Sequence, residues 1–297
     1  MFMSHKSKVL HHPTRMEGAA THAVAIPALC LVLFLMNQAT AGTVLHYEFE
    51  EGPPNQQANL VLDSGPNGIT GTALQVGTAT RPIYRDLLST GLQLDFFGNG
   101  TASPSSASYV EVIDPGVSPL DLTGPLTVEA IIRPAEIRQQ AIVRKKGGLA
   151  GSGYWLSMHD DGHVSLRMQD DLTGAYGSSV LQPDTTYHVA GTWDGTTIRI
   201  YVNHQIDGTF AYNGALIAND DKLGIGAILR NTGTVGQGFA GLIDSVRISD
   251  QALSPSEFLG VPEPSSLLLA TLGVLSLVGA GRRRAKDRLP HARGNLT

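Results

Sequence analysis

The sequence predicts an all-β fold in which two antiparallel sheets pack face to face as a sandwich. Three observations carry this prediction. Between residues 42 and 261, apolar side chains recur at every second position, the period of a strand with one buried face. The apolar runs are short and punctuated by Gly, Asp and Asn, with 34 glycines in the 297 residues. A helical period is missing from nearly all of this region, and about ten short strands without crossover helices bury their apolar faces best as two stacked sheets.

In chain order, Leu45, Tyr47 and Phe49 alternate with His46, Glu48 and Glu50, and Leu92, Leu94 and Phe96 alternate with Gln93 and Asp95. Residues Gly98 to Ser108 are small and polar and read as a long loop. Leu126, Val128, Ala130 and Ile132 then alternate with Thr127, Glu129 and Arg133, which assigns Glu129 to the polar face of its strand. Two hairpins follow, Tyr154–Met158 with Val164–Met168 around Asp160-Asp161-Gly162, and Tyr187–Trp193 with Ile198–Val202 around Asp194-Gly195-Thr196.

The last strand breaks its own alternation. Phe239, Gly241 and Ile243 fall on one parity and Val246 and Ile248 on the other, so burying all of them requires an extra residue near Asp244-Ser245, a β-bulge. Only Leu253 to Leu259 reads as helix, with Ser254 at the cap, Pro255 at the first position and Glu257 completing a capping box.

Both ends of the chain read as addresses. Lys6, Lys8 and Arg15 precede an apolar run from Ala23 to Met36, and Ala39-Thr40-Ala41 supplies a cleavage pattern, so residues 1–41 read as a signal peptide. The single cysteine, Cys30, lies inside that leader, which leaves residues 42–260 without a disulfide. At the other end Pro262-Glu263-Pro264 is followed by an apolar run from Leu267 to Ala280 and by Arg282-Arg283-Arg284, with a basic tail over 285–297. The apolar stretch is at or below the ~17 to 25 residues that span a bilayer, so it reads either as a short anchor or as a disposable signal.

Charge divides the chain the same way. Residues 42–261 hold 12 Lys and Arg against 23 Asp and Glu, a net of −11, whereas the whole chain is only −5. Such an acidic domain repels phosphate backbones, which argues against nucleic acid as a partner, and it offers oxygen ligands to hard cations.

Several of these segments resemble a known family. Tyr187-His188-Val189-Ala190-Gly191-Thr192-Trp193-Asp194-Gly195, Ile198 to Asn203, and Phe239 to Ile248 running on to Ala252-Leu253-Ser254 resemble laminin-G-like, concanavalin-A-like jelly-roll domains. Tyr47-Glu48-Phe49-Glu50 with Asp63-Ser64-Gly65 suits their first strand and following loop. The resemblance spans roughly residues 43–259 and implies a jelly roll. One departure is the turn after Tyr201-Val202, where the family has Asp-Gly and this chain has Asn203-His204; Asn tolerates positive φ, so the turn survives in altered form. Separately, Pro262-Glu263-Pro264, the apolar run and Arg282, Arg283 and Arg284 resemble the bacterial PEP-CTERM sorting signal. That resemblance implies an exosortase-type membrane protease as partner and export to the cell surface, outer envelope or matrix.

Catalysis finds no support in the residues. The E-x-D-x-x-E run of sandwich glucanases is missing, as is G-x-S-x-G, and the five histidines of the domain (His46, His159, His163, His188 and His204) form no zinc spacing. His159 and His163 read as solvated residues flanking a turn. The resemblance implies a structural calcium ion, for which Glu50, Asp63 and Asp244 are the candidate ligands; the alternative for Asp244 is a hydrogen bond to backbone at the bulge. Trp155 and Tyr201 have the opposite parity to their apolar neighbours and are the candidate sugar-stacking aromatics. The resulting expectation is a non-enzymatic surface protein that binds glycan, such as exopolysaccharide, or an envelope protein. A carbohydrate-active enzyme and a purely structural envelope component are the alternatives.

Overall fold

In a computed structural model the chain divides into two compact units, Met1–Ala41 and Gly42–Thr297. Residues 42–86, 91–99, 106–146, 152–169 and 172–260 are described. The predicted leader, Pro262-Glu263-Pro264, Arg282-Arg283-Arg284 and the basic tail lie outside them.

Among the described residues eighteen strands follow one another: β1 (Thr43–Tyr47), β2 (Leu60–Val61), β3 (Gly71–Val76), β4 (Ile83–Asp86), β5 (Leu92–Phe96), β6 (Ala107–Val112), β7 (Leu126–Pro134), β8 (Gln140–Lys145) and β9 (Tyr154–Met158). The second half holds β10 (Val164–Met168), β11 (Gly174–Tyr176), β12 (Tyr187–Trp193), β13 (Thr197–Val202), β14 (Gln205–Ala211), β15 (Leu223–Ile225), β16 (Ile228–Leu229), β17 (Val235–Gly236) and β18 (Gly241–Ser249). One antiparallel sheet runs β14-β13-β12-β7-β18-β5-β4 with β1 also on β18; the other runs β11-β10-β9-β8-β15-β6-β3-β2; β16 and β17 form a small hairpin. Sequentially distant strands are neighbours in both sheets, as a two-sheet jelly roll requires.

The apolar parity of each strand points into one core between the sheets. Leu45, Tyr47, Leu94, Phe96, Leu126, Val128, Ala130 and Ile132 meet Val110, Val143, Leu156, Met158, Val164 and Leu166 there. The two predicted hairpins form in the expected register, Trp155 opposite Arg167 and Thr192 opposite Arg199. The altered turn survives as well: Asn203 and His204 both take left-handed φ, 49° and 64°, the conformation of a tight two-residue hairpin turn.

The bulge forms where parity demands it, with the register slipping between Ile243 and Ser245. Its cause is a change of neighbour. β18 pairs with β5 over Gly241–Ile243 and with β1 over Val246–Ser249; Asp244 and Ser245 lie between the two pairings, and Asp244 is the one that β7 also skips.

Four expectations are corrected. Leu253–Leu259 is not an α-helix; only Pro255–Glu257 turns, as a 3-10 turn. There the Glu257 carboxylate accepts the Ser254 N–H at 2.8 Å and its hydroxyl at 2.6 Å, while Phe258 and Leu259 are drawn onto the sheet. Ala107 and Ser108 belong to strand β6 rather than to a loop. Phe49 is buried outside any strand, turned inward by a left-handed φ of 55° rather than by alternation. Finally, Glu129 is fully buried, because residues 250–260 cover the outer face of its sheet.

Candidate functional site

The outer face of the β11-to-β2 sheet carries a row of side chains set by register. Gly224 stands opposite Arg144, Arg144 opposite Trp155, Trp155 opposite Arg167, and Arg167 opposite Gly174. All have the parity opposite to Val143, Leu156 and Leu166, so they leave the core. The predicted parity of Trp155 therefore holds, but its exposure does not. Trp155 is only 3% exposed, because Ala141 and Ile228 of the small hairpin pack against it and two arginines cover its ring. The Arg144 guanidinium carbon lies 3.9 Å from the ring centroid and that of Arg167 4.9 Å.

Arg167 also lies 5.0 Å from the centre of the Tyr176 ring, which is 44% exposed and marks the open end of the row. Beside it, Ser157 and Ser165 hydroxyls share a hydrogen bond of 3.2 Å, and Ser165 Oγ meets His159 Nε2 at 2.8 Å. His159 is not a solvated turn residue: its ring lies tilted against that of Tyr176 with centroids 5.0 Å apart, and burial, then the Arg167 charge, push its pKa below the ordinary value. Two buried donors in this cluster, Trp155 Nε1 and Arg167 Nε, have no acceptor among the described residues. A buried donor without a partner costs about 1–3 kcal/mol, so the cluster gains if an acceptor arrives.

Tyr201 also faces away from the core and is also covered, at 7% exposure. Phe258 lies edge-on against it at 5.0 Å, within a cluster completed by Ala190 and Leu253. Tyr201 thus packs against the terminal segment.

The terminal segment is pinned by a buried ionic network that sequence reading missed. Glu129 accepts from Arg247 Nε at 2.7 Å, from His188 Nε2 at 2.8 Å and from the Leu259 N–H at 2.8 Å. Arg247 Nη2 in turn donates to the Glu257 carbonyl at 2.5 Å, and His204 Nε2 lies 2.9 Å from the Leu259 carbonyl. Burial, the largest cause, lowers the pKa of His188 below the ordinary histidine value. The only sequence signal was a polar residue in each of three apolar strands, which becomes a network only once the register places Arg247 opposite Glu129.

The candidate calcium ligands are brought partly together. Glu50 and Asp63 line one cleft of about 260 Å³ with Glu48, Glu51 and Ser64. Asp244 is close enough to Glu50 that, after burial, the Glu50 charge helps push its carboxyl up to about 6. Asp63, however, spends its oxygens on the backbone: Oδ1 accepts from His46 and Gly65, both at 2.8 Å, and Oδ2 from Ile69 at 2.9 Å. Glu50 Oε1 accepts from Leu92 at 3.0 Å, tying the end of β1 to the start of β5. Among the described residues, no three His, Cys, Asp or Glu side chains converge as ligands of one metal ion. A second cleft of about 330 Å³, lined by Arg85 and Arg133, already pairs Arg85 with Asp95 at 2.9 Å.

The strand order and the shared core define a two-sheet jelly roll. The chain belongs to the concanavalin A-like lectin/glucanases superfamily, whose model matches residues 104–258, and residues 260–284 match the PEP-CTERM protein-sorting motif, which marks it for export and surface sorting. No curated protein matches the chain. Among solved structures it is similar to domain 4 of AbnA, an extracellular arabinanase of Geobacillus stearothermophilus in complex with arabinotriose, at 18% identity and TM-score 0.52, covering 73% of this chain and 96% of that one. It is also similar to the binding domain of botulinum neurotoxin serotype D/C, at 12% identity and TM-score 0.51, and to that of Paraclostridial Mosquitocidal Protein 1, at 13% and 0.50. Each of these two alignments covers 73% of this chain and half of the other. At such identities the likeness shows the fold alone. Among the described residues no helix is long and apolar enough to cross a membrane.

Proposed function

We propose that the protein is a surface-displayed, non-enzymatic glycan-binding module, sorted by an exosortase-type membrane protease, whose ligand site is the Arg144–Trp155–Arg167–Tyr176 row. One observation supports this most: an indole and a guanidinium present buried N–H donors without acceptors among the described residues, beside a half-exposed tyrosine. Sugars offer both halves of the complement, hydroxyl and ring oxygens for donors and a C–H face for an aromatic ring. The solved domain bound to arabinotriose supports the same reading by analogy of fold.

The test is a glycan array and calorimetric titration with the full chain purified in detergent, beside Trp155→Phe and Tyr176→Ala variants. Trp155→Phe keeps an aromatic ring against Ile228 and removes Nε1–H together with part of the indole. The reading expects weaker glycan binding in both variants while each still unfolds in a cooperative transition above the assay temperature, with some loss of melting temperature in Trp155→Phe from the smaller ring. Undiminished binding in both would move the site elsewhere on the domain, and no binding by the parent chain would leave a purely structural envelope role.

A further inference from the structure

We infer that Lys145 and Asn219 join through an intramolecular amide, with Asp114 as the proton acceptor, so that the folded domain cross-links itself. The inference goes beyond the glycan-binding reading and does not depend on it.

Lys145 stands where a core residue belongs. It ends β8 with the inward parity of Val143, and the register sets it between Tyr154 of β9 and Leu223 of β15, both members of the core. Leu223 in turn faces Val112 of β6, and Asp114 lies two residues beyond Val112. Lys145 is 1% exposed and Asp114 3%. Nζ meets Asp114 Oδ2 at 2.5 Å, and beyond Nζ the Asp114 oxygens have no hydrogen-bonding partner among the described residues. A structural ion pair needs no more than this. Yet Nζ is also held against Asn219, donating to its backbone carbonyl and to its side-chain Oδ1, the latter at 3.2 Å. An amine, a carboxamide and a carboxylate therefore meet in one buried site, the nucleophile, electrophile and base of amide exchange.

The chemistry balances within these residues. Asp114 accepts one proton from the Nζ ammonium, which frees the nitrogen lone pair. The lone pair forms a bond to Asn219 Cγ, and the charge that develops on Oδ1 falls where the Asp221 N–H already donates, at 2.8 Å. A second Nζ proton passes to Nδ2, the Cγ–Nδ2 bond breaks, and ammonia departs with the proton lent to Asp114, as ammonium. Asp121 is the alternative electrophile, but its Oδ1 lies farther from Nζ, at 3.5 Å, and its Oδ2 accepts the Ser118 N–H at 3.0 Å. Residues 42–260 hold no cysteine. In a domain marked for export, this amide closes a loop across 74 positions as a disulfide would.

Peptide mass spectrometry decides. The full chain is made by cell-free synthesis, sampled from minutes to days, denatured and digested with trypsin. Expected is a branched peptide joining Lys145-Lys146 to Ile200–Lys222, about 17 Da lighter than the two together, that comes to dominate the unlinked forms. As it accumulates, the melting temperature of the parent chain should rise by roughly 10–20 °C. Lys145→Arg and Asn219→Ala should yield no branched peptide, and Asp114→Asn should slow its appearance about 100-fold or more. A parent chain that melts cooperatively yet gives only unlinked peptides after days overturns the inference. So does a branched peptide about 18 Da lighter that carries Asp121, since water rather than ammonia has then been lost. Asp114→Asn linked at the parent's rate overturns the role of Asp114. Should that variant not fold, Asp114→Glu decides instead: it keeps a carboxylate but displaces it by one methylene, and linking at the parent's rate again removes Asp114 from the reaction.

Discussion

Replacing Glu129 by Gln is the sharpest test of how this fold is closed. Glu129 is fully buried and receives Arg247, His188 and the Leu259 amide. Glutamine has nearly the same shape, so the core keeps its volume, but the charge is gone. Arg247, only 6% exposed, is then an uncompensated buried cation, and a broken buried pair costs about 3–5 kcal/mol. In addition, the side-chain amide now presents N–H groups where two acceptor oxygens stood, so one of the incoming donors must lose its partner. For a domain of this size each kcal/mol moves the melting temperature by about 2–4 °C, so a fall of roughly 6–20 °C is expected.

Thermal unfolding at pH 8, where His188 is neutral, measures this change. Hydrogen exchange at Leu259 should accelerate in the same variant, because its amide has lost the acceptor. A double variant, Glu129→Leu with Arg247→Met, should recover much of the loss, since an apolar pair of similar volume replaces an ion pair with little penalty. A melting temperature within 2 °C of the parent for Glu129→Gln would refute the argument that this charge holds the terminal segment down.

Further predictions concern titration and a second buried pair. Asp244 is held above the ordinary aspartate range, to about 6, so its contribution is present at acid pH and lost as pH rises through that value. Asp244→Asn should therefore stabilise the protein by about 1 kcal/mol at pH 8 after allowance for screening, and leave it nearly unchanged at pH 5; destabilisation at pH 8 would contradict the assignment. His46, His159 and His188 are shifted the other way, below 6.5, chiefly by burial. Their stabilisation is full above that value and lost as pH falls through their folded pKa values, so urea midpoints should drop between pH 7.5 and pH 5.5; a flat or rising profile would contradict their burial as neutral rings. Lys145, 1% exposed and bound to Asp114 and Asp121, is the counter-charge of Asp114. Lys145→Met should cost about 3–5 kcal/mol in thermal unfolding, and Asp114→Asn added to it should restore part of that; additive losses would refute the pairing.

Strand identity, both hairpins and the bulge were legible in the sequence because each depends on local parity or turn chemistry. The bulge at Asp244 is the clearest case: Ile243 and Val246 cannot both reach the core without it. What stayed illegible depends on what lies over the outer faces. Trp155 and Tyr201 have the outward parity that alternation assigns, yet Arg144, Arg167 and Ile228 cover one and Phe258 the other. Alternation tells which side of a sheet a residue takes, not whether that side is wet. Glu129 was misplaced for the same reason, since its partners come from residues 59, 118 and 130 positions away. Helical capping signals misled at Leu253–Leu259 because Ser254, Pro255 and Glu257 do form the start of a turn, while the attraction of Phe258 and Leu259 to the sheet ends it after three residues.

The two outer faces divide the labour of the domain. On the β14-to-β4 sheet, Thr127, Glu129, His188, Tyr201, His204 and Arg247 all contact residues 250–260, down to both backbone groups of Leu259. The sorting motif match begins at the next residue, 260. This face is therefore committed to holding the junction between the folded domain and its sorting segment, and its polar side chains are satisfied within the chain. On the opposite sheet, Arg167 Nε and Trp155 Nε1 find no acceptor among the described residues, beside the half-exposed Tyr176. The proposed ligand row and the segment that leads into the sorting motif therefore lie on opposite sheets of the sandwich.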